Sequence, residues 1–144
     1  MTMIALGDRA TDREFGPLTI TDIVRYAGAS GDFNPLHHDE GAAREAGFSG
    51  VFSMGMLPAS FLGAFAAEWL GPANIRRFTA RFREQVWPGD VLVCAGEVVA
   101  VRSQPDETIV EVTLTCTRRG GGVAVSGSAE FCLPTLPALM KEDV

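Results

Sequence analysis

Residues Met54–Leu70 form the longest apolar stretch of the chain, though it carries Pro58, Ser60, Gly63 and Glu68. A chain with such a segment must place it in a membrane or fold the rest of itself around it. A membrane-spanning helix needs about 20 residues with few polar breaks, so burial inside the protein is expected. Pro58 sets the start of a helix, because proline is tolerated where the backbone N–H has no intrahelical acceptor, in the first turn. The helix should therefore begin near Gly55, with Met56, Leu57 and Pro58 as its opening residues. It should continue through Phe61, Leu62, Phe65, Ala66 and Trp69 and stop at Gly71-Pro72. A helix apolar nearly all round is buried on most sides, and its stripe of large side chains reads as core rather than as a cofactor box.

After Gly71 the pattern changes. Ile75–Trp87, Val91–Val101, Thr108–Thr117 and Val123–Leu133 are expected strands, the last three rich in Val, Thr and Ile and separated by Gly, Pro or Asp clusters. Before the apolar helix, Thr19 or Thr21 can cap a helix through about Ser30, with Ile20, Ile23, Val24 and Ala27 on one face. Asp39 can cap a short helix over Glu40–Ala46, ended by Gly47. Residues 1–17 read as a loose strand or arm, and 134–144 as a loose polar tail. Helices followed by a run of long adjacent strands read as α+β with an antiparallel sheet. At 144 residues the chain is expected to form one domain, 1–144, around one core.

Composition narrows the partners. A net charge of −6 argues against a broad basic surface for nucleic acid. The basic residues are nearly all arginine, Lys141 being the only lysine. Cys94, Cys116 and Cys132 are odd in number and embedded in apolar runs, so they read as reduced core thiols of a cytoplasmic protein. The N-terminus lacks the basic start and long apolar stretch of a secretory leader. Neither a membrane nor a nucleic acid is an expected partner.

The chemistry is expected in residues 26–43, where Asp32 and His37 flank an Asn-Pro pair. Pro35 lacks a backbone N–H and pushes Asn34 out of the helical region, so the preceding helix cannot run through it. Gly31 suits a left-handed helix end. A carboxylate and an imidazole on one stiff, kinked loop are the minimum equipment for holding and deprotonating a water. Two plainer readings compete. Asp before Asn-Pro is also an ordinary turn signal. His37, His38 and Asp39 could suggest a metal site, but neighbouring residues rarely reach one ion and no further ligands follow at regular spacing.

The run Ser30-Gly31-Asp32-Phe33-Asn34-Pro35-Leu36-His37, with Tyr26 before it and Ala43 after it, resembles the motif of the MaoC-like (R)-specific enoyl-CoA hydratases and 3-hydroxyacyl-thioester dehydratases. Gly50-Val-Phe-Ser-Met-Gly-Met-Leu57 and Val86-Trp-Pro-Gly-Asp90 are similar to the same family, so the resemblance covers most of the chain. It implies a hot-dog fold, an antiparallel sheet wrapped around the central apolar helix. The implied reaction is addition of water to a trans-2-enoyl thioester, or its reversal, on coenzyme A or acyl carrier protein. The product of hydration would be the (R)-3-hydroxyacyl thioester. By resemblance no metal or redox cofactor is required, coenzyme A or phosphopantetheine entering only as part of the substrate.

Within that expectation Asp32 and His37 are the catalytic pair. The N–H groups at the helix start near Gly55, aided by the helix dipole, would hold the charge that builds on the thioester oxygen. Gly55 would leave room for the carbonyl. Asn34 would orient the loop or the water, though a turn former needs no such role. Ser53 would line the thioester pocket or simply precede the helix. Met54 stands where many members carry His or Pro, a departure expected to alter the acyl-site wall. His38 is expected to face solvent. Arg76, Arg77, Arg81 and Arg83 could meet the phosphates of coenzyme A or the acidic face of a carrier protein, a solvated strand face being the plainer reading.

A long exposed sheet edge implies a homodimer or a hetero-oligomer with a related hot-dog subunit. Two other functions compete: a non-catalytic acyl-binding subunit of such a pair, and a hot-dog thioesterase. The intact Asp32 and His37 argue against the first. A thioesterase would usually carry its acid on or beside the central helix, where only Glu68 is found.

Overall fold

The structure, a computed structural model, describes residues 4–134. In chain order it consists of β1 (Arg13–Phe15), α1 (Ile20–Ser30), α2 (Glu40–Glu45), α3 (Met56–Leu70), β2 (Ile75–Phe82), β3 (Leu92–Ser103), β4 (Glu107–Arg118) and β5 (Val123–Pro134). Short 3-10 turns at Pro35–His37 and Pro72–Asn74 complete it. The strands form one sheet in the order β1-β3-β4-β5-β2, every neighbouring pair antiparallel.

Alternation along the three long strands gives the sheet one apolar face. Leu92, Cys94 and Val98 of β3, Val110, Val112, Leu114 and Cys116 of β4, and Val125, Ala129 and Phe131 of β5 are buried on it. Against this face α3 lays Leu57, Leu62, Phe65 and Ala66, making one continuous core. The approach is closest at Gly96 on β3, where a Cβ would stand 2.9 Å from Trp69 Cζ3 and 3.3 Å from Phe65 Cε1. Cys94 and Cys116 are directly opposed across β3 and β4 and are free, buried thiols, as is Cys132.

Local chemistry sets the helix ends. Thr19 caps α1 with a reciprocal box: its Oγ1 accepts the Asp22 N–H at 3.1 Å, and Asp22 Oδ2 accepts the Thr19 N–H at 2.8 Å. Gly31 ends that helix at φ 74°, in the left-handed region that suits glycine. Gly55 is the N-cap of α3, as the position of Pro58 requires.

Four details differ from the sequence reading. Ile20 and Val24 face solvent while Ile23 and Ala27 carry the buried face of α1. The first pair lies on an adjoining stripe, one residue off the stripe that meets the core. The expected strand Ile75–Trp87 ends at Phe82. The Arg83 N–H still reaches the Ala124 carbonyl of β5 at 2.8 Å, after which the chain exchanges partners: the Val86 carbonyl accepts the Ser53 N–H at 2.8 Å, and the Trp87 N–H is held by Asp90 Oδ2 at 2.8 Å. The same Asp90 carboxylate accepts two hydrogen bonds from Arg118, at 2.8 and 3.2 Å. Pro134, expected in the tail, is the last residue of β5, and the rest of that segment lies outside the described residues.

The fourth difference concerns α3. Its sheet face is buried, but Met56, Ser60 and Ala64, one turn apart, face outward. Beside them edge strand β2 is exposed from Arg76 to Phe82 and sets Phe78 over Gly63 and Phe82 over Gly55. The single chain therefore wraps the helix incompletely, and an apolar seam runs between α3 and β2. Met56 is 55% exposed there, Phe82 55% and Phe78 36%. Among the described residues no helix is long and apolar enough to cross a membrane.

The tight contact at Gly96 yields a prediction. Gly96→Val should overpack the α3–β3 interface and lower the unfolding free energy by about 1–3 kcal/mol. A urea titration followed by tryptophan fluorescence measures this. An unshifted midpoint would mean that Trp69 and Phe65 can retreat without cost.

Candidate active site

The loop after α1 is built by its own hydrogen bonds. Gly31 turns the chain out of the helix, its N–H bonded to the Ala27 carbonyl at 2.9 Å. Asn34 is extended at φ −58°, ψ 123°, as Pro35 demands, and its Oδ1 accepts the Leu36 N–H at 3.1 Å. The 3-10 turn that follows carries His37, with its N–H bonded to the Asn34 carbonyl at 3.0 Å. Asp39 then caps α2 through the Ala42 N–H at 3.0 Å. Two caps within six residues leave this segment little freedom.

The loop brings Asp32 and His37 together. Asp32 Oδ2 stands 3.8 Å from His37 Nε2, and Asp32 Oδ1 accepts the Asn34 N–H at 3.3 Å. The His37 side chain is 8% exposed, while the Asp32 carboxylate is half-exposed. His37 Nδ1 lies 2.7 Å from the Phe52 carbonyl oxygen. A carbonyl only accepts, so Nδ1 carries the hydrogen and donates it. In neutral His37 this leaves Nε2 as a lone-pair acceptor facing Asp32. The Phe52 ring also packs edge-on against the imidazole, with centroids 5.3 Å apart, and is itself flanked by Phe48 and Trp87.

Two acceptors 3.8 Å apart cannot hydrogen-bond each other directly. One water can donate an O–H to each of them, which points its lone pairs away from both. The arrangement is thus suited to orient a water and take its proton.

Phe52 also lines a cavity of about 310 Å³, to whose lining neither Asp32 nor His37 contributes. Phe52, Ser53, Gly55, Pro58, Phe82 and Arg83 contribute to its lining. Two of the expected substrate-binding residues, Ser53 and Gly55, are therefore here. Ser53 is buried and its Oγ donates to the Met54 carbonyl at 2.9 Å. Gly55 begins α3 with no side-chain cap, and among the described residues its N–H has no protein acceptor. A Cβ at Gly55 would meet the Phe82 ring at 3.0 Å, so the immediate neighbour that this glycine accommodates is an aromatic ring.

The remaining expected residues stand elsewhere. Asn34 shapes the loop through the Leu36 bond and does not line the cavity. Met54 is buried in the core, also away from the cavity lining. His38 is exposed. Among the described residues, no group of three His, Cys, Asp or Glu side chains could hold a metal ion.

Phe52 was not singled out from the sequence. It lies inside the Gly50–Leu57 segment, but its contribution to His37 is a backbone carbonyl, which leaves no trace in residue type. The only available signal was the position of an aromatic directly before Ser53.

Comparison with known proteins places this chain in a family. The chain matches the family model described as MaoC like domain over residues 5–119. It is 32% identical over 142 residues to a mitochondrial 3-hydroxyacyl-[acyl-carrier-protein] dehydratase of Arabidopsis thaliana, spanning 97% of this chain and 84% of that protein. It is 34% identical over 115 residues to an (R)-specific enoyl-CoA hydratase of Aeromonas caviae, spanning 78% of this chain and 84% of the relative. Among solved structures, the (R)-hydratase from A. caviae superposes with a TM-score of 0.80 at 29% identity, covering 93% of this chain and all of the other. The chain belongs to the MaoC-like dehydratase family, and its sheet wrapped around α3 is the hot-dog fold.

Proposed function

We propose that the protein is a hydro-lyase acting on acyl thioesters: it adds water to trans-2-enoyl thioesters to give (R)-3-hydroxyacyl thioesters, or runs the reverse dehydration. The observation that carries this reading is the pairing of Asp32 Oδ2 with His37 Nε2 at 3.8 Å, with Nδ1 already committed to the Phe52 carbonyl. The names of the relatives from A. thaliana and A. caviae support the same reaction class.

In the hydration direction a water donates to both Asp32 and His37 and presents its oxygen to C3 of the enoyl group. As the O–C3 bond forms, the C2=C3 pair moves toward the thioester oxygen and one water proton passes to the Asp32–His37 pair. The enolate oxygen is met by the Gly55 N–H at the positive end of the α3 dipole. Return of the proton to C2 completes the addition and restores the pair. No oxidant, reductant or metal enters this balance, so we propose that the enzyme works without a cofactor. Ser53 lines the thioester pocket. Asn34 acts on Asp32 through the loop, by its N–H to Oδ1 and its side chain to Leu36.

The exposed seam between α3 and β2 supports an oligomer. Edge strand β2 is bonded to β5 on one side, and its other edge is open among the described residues. We propose that a second copy, or a related hot-dog subunit, pairs along this edge and covers Met56, Phe78 and Phe82. It would also close the cavity that Phe82 lines. The reduced thiols Cys94, Cys116 and Cys132 fit a reducing compartment, the cytoplasm.

Three measurements test these statements. Asp32→Asn and His37→Ala should each lower kcat by at least the ~10²-fold typical of losing a positioned acid–base group. This is followed as loss of the enoyl-thioester absorbance with crotonyl-CoA and longer enoyl-CoAs. Near wild-type turnover in both variants would place the chemistry elsewhere.

Gly55→Val should displace the Phe82 ring and block the Gly55 N–H, lowering hydration by about 10²–10³. The half-exposed ring can swing outward, so the variant should still fold. Melting temperature and rate on one sample decide: full activity in a folded variant sinks the oxyanion role.

Light scattering should give a mass of at least twice the 15.3 kDa chain, and Phe78→Asp should shift it toward a single chain. A wild-type protein that stays monomeric at micromolar concentration would contradict the covered seam.

A further inference from the structure

Arg118, the last residue of β4, stands apart from the other arginines. Among the described residues, the other arginines in ion pairs have side chains 44–78% exposed. Arg118 is 25% exposed and its partner Asp90 17%, so this is no surface pair. The guanidinium fork makes two bonds to the Asp90 carboxylate, Nε to Oδ2 at 2.8 Å and Nη2 to Oδ1 at 3.2 Å. Its Nη1 lies 3.5 Å from Glu84 Oε2. One cation therefore grips both ends of residues 84–90, the segment that joins β2 to β3. A two-pronged contact of this kind fixes geometry more firmly than a point charge does.

Both halves of the candidate site hang on that segment. Asp90 Oδ2 also accepts the Trp87 N–H at 2.8 Å, which closes the segment into a bend. The Val86 carbonyl accepts the Ser53 N–H at 2.8 Å, fixing the chain one residue beyond Phe52. The Trp87 ring packs on the Phe52 ring with centroids 5.6 Å apart. Phe52 in turn supplies the carbonyl that holds the hydrogen on His37 Nδ1. On the other flank, the Gly89 N–H donates to the Leu18 carbonyl at 2.6 Å, and the Asp90 carbonyl accepts the Leu18 N–H at 2.8 Å. Leu18 precedes the Thr19 cap of α1, the helix beyond whose far end Asp32 stands.

Asp32 and His37 thus trace back to one bend by separate routes. Asp32 is reached through Leu18 and α1, and His37 through Ser53, Trp87 and Phe52. The 3.8 Å between them, the space one bridging water needs, is set by how those two routes are held together. We propose that Arg118 is a positioning residue for the acid–base pair. It touches neither member and does not line the cavity, but it holds the bend from which both are aligned. The effect on turnover rests on the hydro-lyase reading, whereas the effect on His37 does not.

Two readings on Arg118→Gln test this. The substitution removes the fork and leaves the Asp90 carboxylate the Trp87 N–H. Hydration of crotonyl-CoA should lose roughly tenfold in kcat with KM little changed, because a slight misplacement costs less than the ~10²-fold of a full 1 Å. Arg118→Lys keeps the charge without the fork and should lie between the two proteins. The second reading is the imidazole ¹⁵N spectrum at about pH 8.5, where an ordinary imidazole is neutral and its two tautomers are distinct. The chain has two histidines, so His38→Gln assigns the signals. Wild-type His37 should show the Nδ1–H tautomer alone, and Arg118→Gln a mixture of both.

An unchanged tautomer in a folded Arg118→Gln protein would overturn the proposal, whatever its melting temperature. A rate loss carried by KM with kcat intact would do the same. Should Arg118→Gln fail to fold, Arg118→Lys carries both readings, and wild-type kcat and tautomer in that variant would refute the role. If the wild-type protein hydrates no enoyl-CoA, the hydro-lyase reading fails by itself, and the His37 spectrum still decides what Arg118 does.

Discussion

A single requirement organises this molecule: α3 is too apolar to be left in water. Leu57, Leu62, Phe65 and Ala66 need a surface of matching width. Three twelve-residue strands with alternating Val, Leu, Cys and Phe provide it. The helix settles closely enough that Gly96 is the residue tolerated beneath Trp69. Because its first residues lie at the edge of this packing, the uncapped start at Gly55 opens into a cavity while the rest of the helix is held rigid.

The chemistry we propose sits on a segment outside the hydrophobic core cluster. Asp32 to Asp39 is fixed instead by short-range bonds: a left-handed Gly31, the Asn34 side chain on Leu36, and the Asp39 cap on α2. Such local closure costs little chain entropy at the moment of reaction, because it is in place before substrate arrives. Both backbone groups of Phe52 register the loop against the segment before α3: its carbonyl accepts from His37 Nδ1 at 2.7 Å and its N–H donates to the Leu36 carbonyl at 3.4 Å. Phe52 thus adjoins both His37 and the cavity, whose lining it shares with Ser53.

What could be read in the sequence follows the range of the interactions. The ends of α1 and α3, the kink at Asn34-Pro35 and the cap at Asp39 are decided within four residues, and each was legible. The resemblance to a family over most of the chain carried the fold and pointed to Asp32 and His37, which the structure sets 3.8 Å apart. Features decided by partners far along the chain were not legible. The early end of β2 depends on Val86 finding Ser53, more than thirty residues away, in place of a sheet neighbour. Ile20 and Val24 carry the same apolar character as Ile23 and Ala27, and only packing shows which pair faces inward. Gly55 was expected to make room for substrate, whereas its closest constraint is Phe82, a residue on another element.

Orienting His37 by a main-chain oxygen has a consequence for how such a site can drift over time. In many acid–base sites the imidazole is held by a carboxylate, which can be lost by one substitution and which titrates. The Phe52 carbonyl does neither: every amino acid at position 52 supplies the same acceptor, with the same charge at every pH. The tautomer of His37 is therefore inherited from the path of the chain rather than from a residue. Variation at position 52 can reshape the cavity wall while the proton on Nδ1 stays where it is, so pocket shape is free to diverge among descendants that keep one chemistry.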